Sequence, residues 1–222
     1  MLTSRRLLWL ECLIVFVGLP LVVVFDIFDL HLVMIPLFVL LLPASVWLGR
    51  RYGFNAEIFW CADKWAERQQ LGYVIKRFLV FAVVLVVVTW LVFPQRFFNL
   101  PGAFPRFWLL LMLLYPLFSV YPQELLYRTF FFHRYQALFP NPQVMILVNA
   151  LLFSWMHIVF NSLVAVLYTL IGGLMFAHTY QKTRSLRLVS FEHALYGGLI
   201  LTIGYAQDFL NQTLLEKFSV VL

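Results

Sequence analysis

An all-α, polytopic membrane protein with about seven transmembrane helices is the fold class this sequence predicts, on three observations. Of its 222 residues, 63% are hydrophobic and 12% charged. The apolar residues gather in runs of about 18, the length at which a helix crosses the hydrocarbon layer. None of those runs alternates polar with apolar, as the strands of a membrane barrel would.

Taken in order, the candidate spans are 7–25, 30–48, 78–94, 106–121, 143–160, 162–180 and 188–207. The first follows Arg5 and Arg6 and resembles a signal peptide in outline, but its apolar run is long and lacks a small-x-small cleavage pattern, so it reads as an uncleaved span. The stretch 50–77 is the longest polar region, and Phe59, Trp60 and Trp65 among its charges suggest an interfacial helix in a cytoplasmic loop. Residues 1–105 form an N-terminal membrane region containing that loop, 106–207 a core, and 208–222 a C-terminal tail. No internal repeat is visible. Cys12 and Cys61 make neither a disulfide framework nor a CxxC metal site.

The net charge of +6 invites a nucleic-acid partner, but its distribution excludes one. With seven alternating spans, Arg5, Arg6, the basic residues of 50–77, Arg134, Lys182, Arg184 and Arg187 share one face. Arg96, Arg106 and Lys217 lie on the other. That bias places the N-terminus in the cytoplasm of a plasma (inner) membrane protein. The expected partners are the lipid bilayer and a peptide or membrane-protein substrate, with no nucleic acid.

Ionisable residues at membrane depth are expensive and mark function by default. Glu124 and Arg128 in "YPQELLYRTFFFHRY", His157 in "NALLFSWMHIVFN" and His193 in "LRLVSFEHALYGG" are the candidates. Each has a plainer reading as an interhelical hydrogen bond or a neutralised helix end. A fourth span ending at Val120 would leave Glu124 at the surface. If the helix instead continues to about Tyr135, kinked at Pro122, Glu124 lies roughly 16–18 Å from its cytoplasmic end. His157 then lies about 21 Å and His193 about 9 Å into their helices, depths that overlap with tilt. Arg128, one turn from Glu124, becomes its counter-ion. An acid and two imidazoles around a water make a hydrolytic site. The same Glu124, His157 and His193 could instead hold a divalent metal such as zinc, although the compact HExxH signature is absent. His178, His133 and His31 read as boundary residues, Asn161 as a turn, and Gly172, Gly173, Gly197 and Gly198 as close-packing positions. Glu192 could orient its neighbour His193, although adjacent helical residues face different ways.

In this order and spacing, these residues resemble the CPBP intramembrane proteases, which include CAAX-processing and bacteriocin-processing proteins. The family's Glu-Glu-x-x-x-Arg run appears as "QELLYR" (Gln123 to Arg128), its Phe-x-x-x-His as "FSWMH" (Phe153 to His157), and its His-x-x-x-Asn/Asp as "HALYG" (His193 to Gly197). The likeness covers about residues 105 to 207. It implies an intramembrane endopeptidase that hydrolyses a peptide bond of a membrane-associated substrate, with Gln123, Glu124, Arg128, His157 and His193 at the site. Gln123 stands where the family has the glutamate usually taken as its base, and Gly197 where it has Asn or Asp. A glutamine cannot deprotonate water, so either Glu124 takes the role or the chain is a catalytically impaired scaffold, such as an immunity or assembly protein. A proton-coupled transporter is the third reading, without the paired broken halves such proteins show.

Overall fold

The computed structural model describes residues 5–25, 43, 47, 50, 51 and 64–210. Among them the chain is helical and no strand forms. Helix α1 begins as Arg5–Leu13, widens into a π-helical turn over Ile14–Gly18 and continues as Leu19–Val24. It is followed by α2 (Lys64–Val92), a short α3 (Asn99–Ala103), α4 (Pro105–Arg134), α5 (Pro142–Phe160), α6 (Leu163–Thr183) and α7 (Leu186–Asp208). Helices α2, α4, α5, α6 and α7 are each long and apolar enough to cross a membrane, five among the described residues. The expected span at 30–48 lies outside the described residues. So do Phe59, Trp60, Cys61 and Lys217. The stretch 64–77, expected in a loop, is the first half of α2, so Trp65 lies on the spanning helix itself.

Local chemistry sets the helix boundaries. Asn141 caps α5 by accepting from the Gln143 amide at 2.8 Å, with Pro142 in the first turn. Ser162 caps α6, and Ser185 caps α7 by accepting from Leu188 N at 3.0 Å. Asn161 turns the chain between α5 and α6 in the left-handed region at φ 51°, and Arg184 does the same between α6 and α7 at φ 49°. Gly204, at φ 137°, has a conformation that L side chains rarely adopt, and a Cβ there would run into the Arg96 carbonyl.

Helix α4 passes Pro122 without breaking. It accommodates Pro116 and Pro122 by widening into π-helical segments over Pro116–Val120 and Leu125–Phe130. Such widening frees backbone carbonyls and recurs at functional positions. The Tyr127 carbonyl, in the second segment, accepts from the buried Asn149 amide of α5 at 2.6 Å. Helix α1 packs on the same place. Phe16 lies edge-on to Tyr127, Phe131 and Tyr135 at 5.1, 5.3 and 6.0 Å, and Trp155 of α5 donates to Val17 O at 3.3 Å.

Polar contacts mark the two ends of the bundle. At one end Arg134 holds Glu11 through two bonds of 2.9 and 2.7 Å, while Arg187 and Ser185 hold Glu67. At the other, Asp208 takes Arg96 at 3.1 Å and Ser162 at 2.8 Å. Arg134 and Arg187, two of the basic residues that the sequence assigns to one face, lie at that first end. Between the ends the core is largely aromatic, and a Cβ on Gly173 would press on the Ala150 backbone, so α5 and α6 approach closely.

Leu125, Tyr127, Phe130 and Phe131 are buried in the lower half of α4. In a Cys12→Ala/Cys61→Ala background, single cysteines at these four positions are expected to resist a membrane-impermeant maleimide in intact vesicles. One at the exposed Gln136 should label once that side is accessible; rapid labelling at 125 to 131 would show that α4 ends early.

Candidate active site

Glu124 and Arg128 are fully buried in the C-terminal half of α4. The four-residue spacing puts them on one helical face, with Glu124 Oε2 3.2 Å from Arg128 Nε. The other carboxylate oxygen crosses to α7, where Oε1 lies 2.8 Å from His193 Nδ1. A carboxylate only accepts, so Nδ1 of His193 carries the proton and the lone pair resides on Nε2. Glu124 therefore ties two helices together and fixes the tautomer of one histidine.

His157 sits at the last turn of α5, and its Nδ1 lies 2.7 Å from the carbonyl of Phe153, four residues earlier. A carbonyl also only accepts, so this ring too bears its proton on Nδ1 and keeps Nε2 as an acceptor. The Phe153 ring is the shared neighbour of the whole group. It lies 4.8 Å from the His157 ring, 5.6 Å from the His193 ring and 5.2 Å from Tyr127, with the Arg128 guanidinium 4.5 Å above its face. Phe176 of α6 completes the enclosure, stacked on His193 at 4.7 Å and 21° and 5.8 Å from the guanidinium. Arg128 makes no hydrogen bond among the described residues; its charge is balanced by Glu124 and by two ring faces.

The structure thus brings together Glu124, Arg128 and His193 by direct contact and His157 through Phe153. Gln123 bonds along its own helix. Its Nε2 donates to Ser119, one turn back on α4, at 2.9 Å, and its buried Oε1 has no partner among the described residues. Glu192 does not serve His193. It is fully buried against α2, ion-paired with Arg77, which also reaches Thr179 at 3.3 Å. Sequence reading passed over Phe153 as a ring, Phe176, Asn149 and Tyr115. The Phe-x-x-x-His spacing was the available signal for the first, since it sets the carbonyl that orients His157.

Among the described residues no three His, Cys, Asp or Glu side chains gather as a metal shell. Glu124 Oε1 and His193 Nδ1 are engaged with each other and His157 Nδ1 with a backbone carbonyl, which leaves the two Nε2 atoms as the open lone-pair donors of the site.

Residues 105–199 match the family model described as type II CAAX prenyl endopeptidase Rce1-like. The likeness of this segment agrees with the CPBP resemblance of its motifs. It starts at the first turn of α4 and ends inside α7, so it spans every residue of the candidate site. No curated protein and no solved structure matches the chain. Among the described residues the Rce1-like helices are supported by α1 and α2, which lie outside the matched segment.

Removing Arg128 would leave the Glu124 carboxylate buried without its charge partner, at a cost of about 3–5 kcal/mol. Arg128→Ala is therefore expected to lower the thermal unfolding temperature in detergent, and Arg128→Met/Glu124→Gln to recover most of the loss. A single variant as stable as the parent would show that the pair is not electrostatically coupled.

Proposed function

We propose that this protein is an intramembrane endopeptidase that hydrolyses a peptide bond of a membrane-associated substrate, with His193 as its general base. One observation carries the reading: the 2.8 Å bond between Glu124 Oε1 and His193 Nδ1, between two helices, within a fully buried setting. The Rce1-like segment supports protease chemistry at the level of class.

The burial pattern divides the labour. Glu124 is 0% exposed, whereas His157 and His193 each retain 7%. A carboxylate sealed between Arg128 and His193 is poorly placed to touch water, so it acts through the imidazole it holds. His193 Nε2 takes a proton from water as the oxygen attacks the scissile carbonyl. Glu124 stabilises the imidazolium that forms, and the proton then passes to the leaving amine. His157 Nε2, a lone-pair acceptor, holds the attacking water in line. In this scheme Gln123 is not a base, and the lost family carboxylate is replaced in function by the Glu124–His193 pair. The basic end of the bundle faces the cytoplasm of a plasma (inner) membrane, by the positive-inside rule, and the substrate is a peptide segment entering from the bilayer.

A scaffold reading draws support from Gln123, whose amide cannot take a proton and is turned to Ser119. Purified protein in phospholipid vesicles separates the two readings. The probes are a prenylated peptide ending in a CAAX tetrapeptide and a membrane-anchored peptide without one. The protease reading expects cleavage of at least one of them. Glu124→Gln and His193→Ala should each lower the rate ~10²–10⁴-fold, and the double variant should be little worse than either, because the two act as a unit. Gln123→Glu should leave the rate unchanged or reduce it, since a second acid beside Glu124 disturbs the first. Full activity in Glu124→Gln, or gain of activity only in Gln123→Glu, would favour the scaffold.

A further inference from the structure

The proton positions at the site leave one chemical need unmet. Peptide hydrolysis places negative charge on the carbonyl oxygen, and a donor must meet it. Both histidines spend their Nδ1 protons on Glu124 and on the Phe153 carbonyl, so each Nε2 is an acceptor. The Gln123 amide is committed to Ser119, and the Arg128 nitrogens are sealed beneath Phe153 and Phe176 with 0% exposure. The side chain that completes the His-x-x-x-Asn/Asp motif is absent here, because position 197 is Gly.

The space that side chain would fill is occupied. A Cβ placed on Gly197 would overlap the Tyr115 hydroxyl and come within 2.7 Å of its ring carbon Cζ. Tyr115 lies on α4, just ahead of the first π-helical segment, and its ring meets His193 edge-on at 6.2 Å. Gly197 is one helical turn beyond His193, on the same face of α7. The phenol therefore enters from the opposite helix and puts an O–H beside that face.

We propose that Tyr115 is a catalytic residue of this site, its hydroxyl donating to the developing oxyanion in place of the polar side chain missing at position 197. The glycine and the tyrosine are one paired feature: either residue alone makes the site worse. The phenol needs no change of charge to act, and it is held by packing on both helices, so it is in place before the substrate arrives. This inference rests on the protease reading.

The test uses the full-length protein in phospholipid vesicles with whichever peptide probe is cleaved. Tyr115→Phe keeps the ring and removes only the donor. Loss of one such donor is expected to lower kcat about 10²–10³-fold, with KM and the thermal unfolding temperature little changed; a purely structural tyrosine would not divide the parameters that way. Gly197→Asn alone should lose stability and activity, because the new side chain meets Tyr115. Tyr115→Ala/Gly197→Asn, with the donor returned to α7, should regain activity over Tyr115→Ala. An unaltered kcat in Tyr115→Phe overturns the proposal, as does a fully stable and active Gly197→Asn. If the unaltered protein cleaves neither peptide, the protease reading has failed and this inference falls with it; if it cleaves and Tyr115→Phe cleaves equally well, only this inference fails.

Discussion

A carboxylate without water is the constraint around which this bundle is organised. Glu124 sits two-thirds of the way along a thirty-residue helix with no exposure, where an unpaired charge would cost several kcal/mol even after relaxation. Its two oxygens are divided between a cation on its own helix and an imidazole on another. The position of α7 relative to α4 follows from that division, since His193 has to reach across to a fixed point. Arg128, buried in turn, needs surroundings that tolerate a guanidinium, and the faces of Phe153 and Phe176 provide them. These two rings come from α5 and α6. One buried acid thus has contacts, direct or through its counter-ion, with four helices.

The same need explains the irregular backbone of α4. A regular helix would carry Pro122 as a break, yet here the chain remains helical through two widened segments on either side of it. Carbonyls freed by widening have no water to meet at this depth, and a neighbouring helix must satisfy them. Asn149 does so at Tyr127, and α1 covers the outside of the segment with Phe16. The helix that brings Glu124 into place is therefore stable only within its bundle. Neighbours outside the Rce1-like stretch have a part in it: α1 against the widened turn, and α2 through the Arg77–Glu192 pair behind α7.

Much of this was legible in the sequence because the membrane narrows the choices. Apolar runs give helices, and the expectation that α4 continues to about residue 135 followed from the apolar character of "ELLYRTFFFHRY"; the helix ends at Arg134. The meeting of Glu124 with Arg128 was legible from spacing, and its meeting with His193 from shared depth. What the sequence could not convey was orientation about each helix axis. Gln123 and Glu124 are neighbours, and only the packed structure shows which of them faces α7. Glu192 and His193 pose the same ambiguity, resolved by Arg77 on a helix more than a hundred residues away. The aromatic enclosure was invisible for a different reason: in a chain with 24 phenylalanines, nothing marks Phe153 and Phe176 from the rest. The loop expected at 64–77 was misread because charged residues at the end of a long span look like a separate amphipathic element, whereas Glu67 and Arg77 make ion pairs with α7 along one continuous helix.

The two departures from the family motifs differ in geometry. At position 123 the acid is missing, but the next residue carries one, and the helix presents that residue to His193. At position 197 the polar side chain is missing, and a phenol from the facing helix occupies its volume. The missing group at 197 thus has a neighbour in its space, whereas Glu124 is the motif's own second acid and keeps its place beside Gln123. Packing alone does not favour a buried acid against a histidine, because replacing such a polar group by a well-packed apolar one is often neutral or stabilising. Holding Glu124, Arg128 and His193 together is costly in a bilayer, and each of the three is tolerated at that depth only because the other two are there.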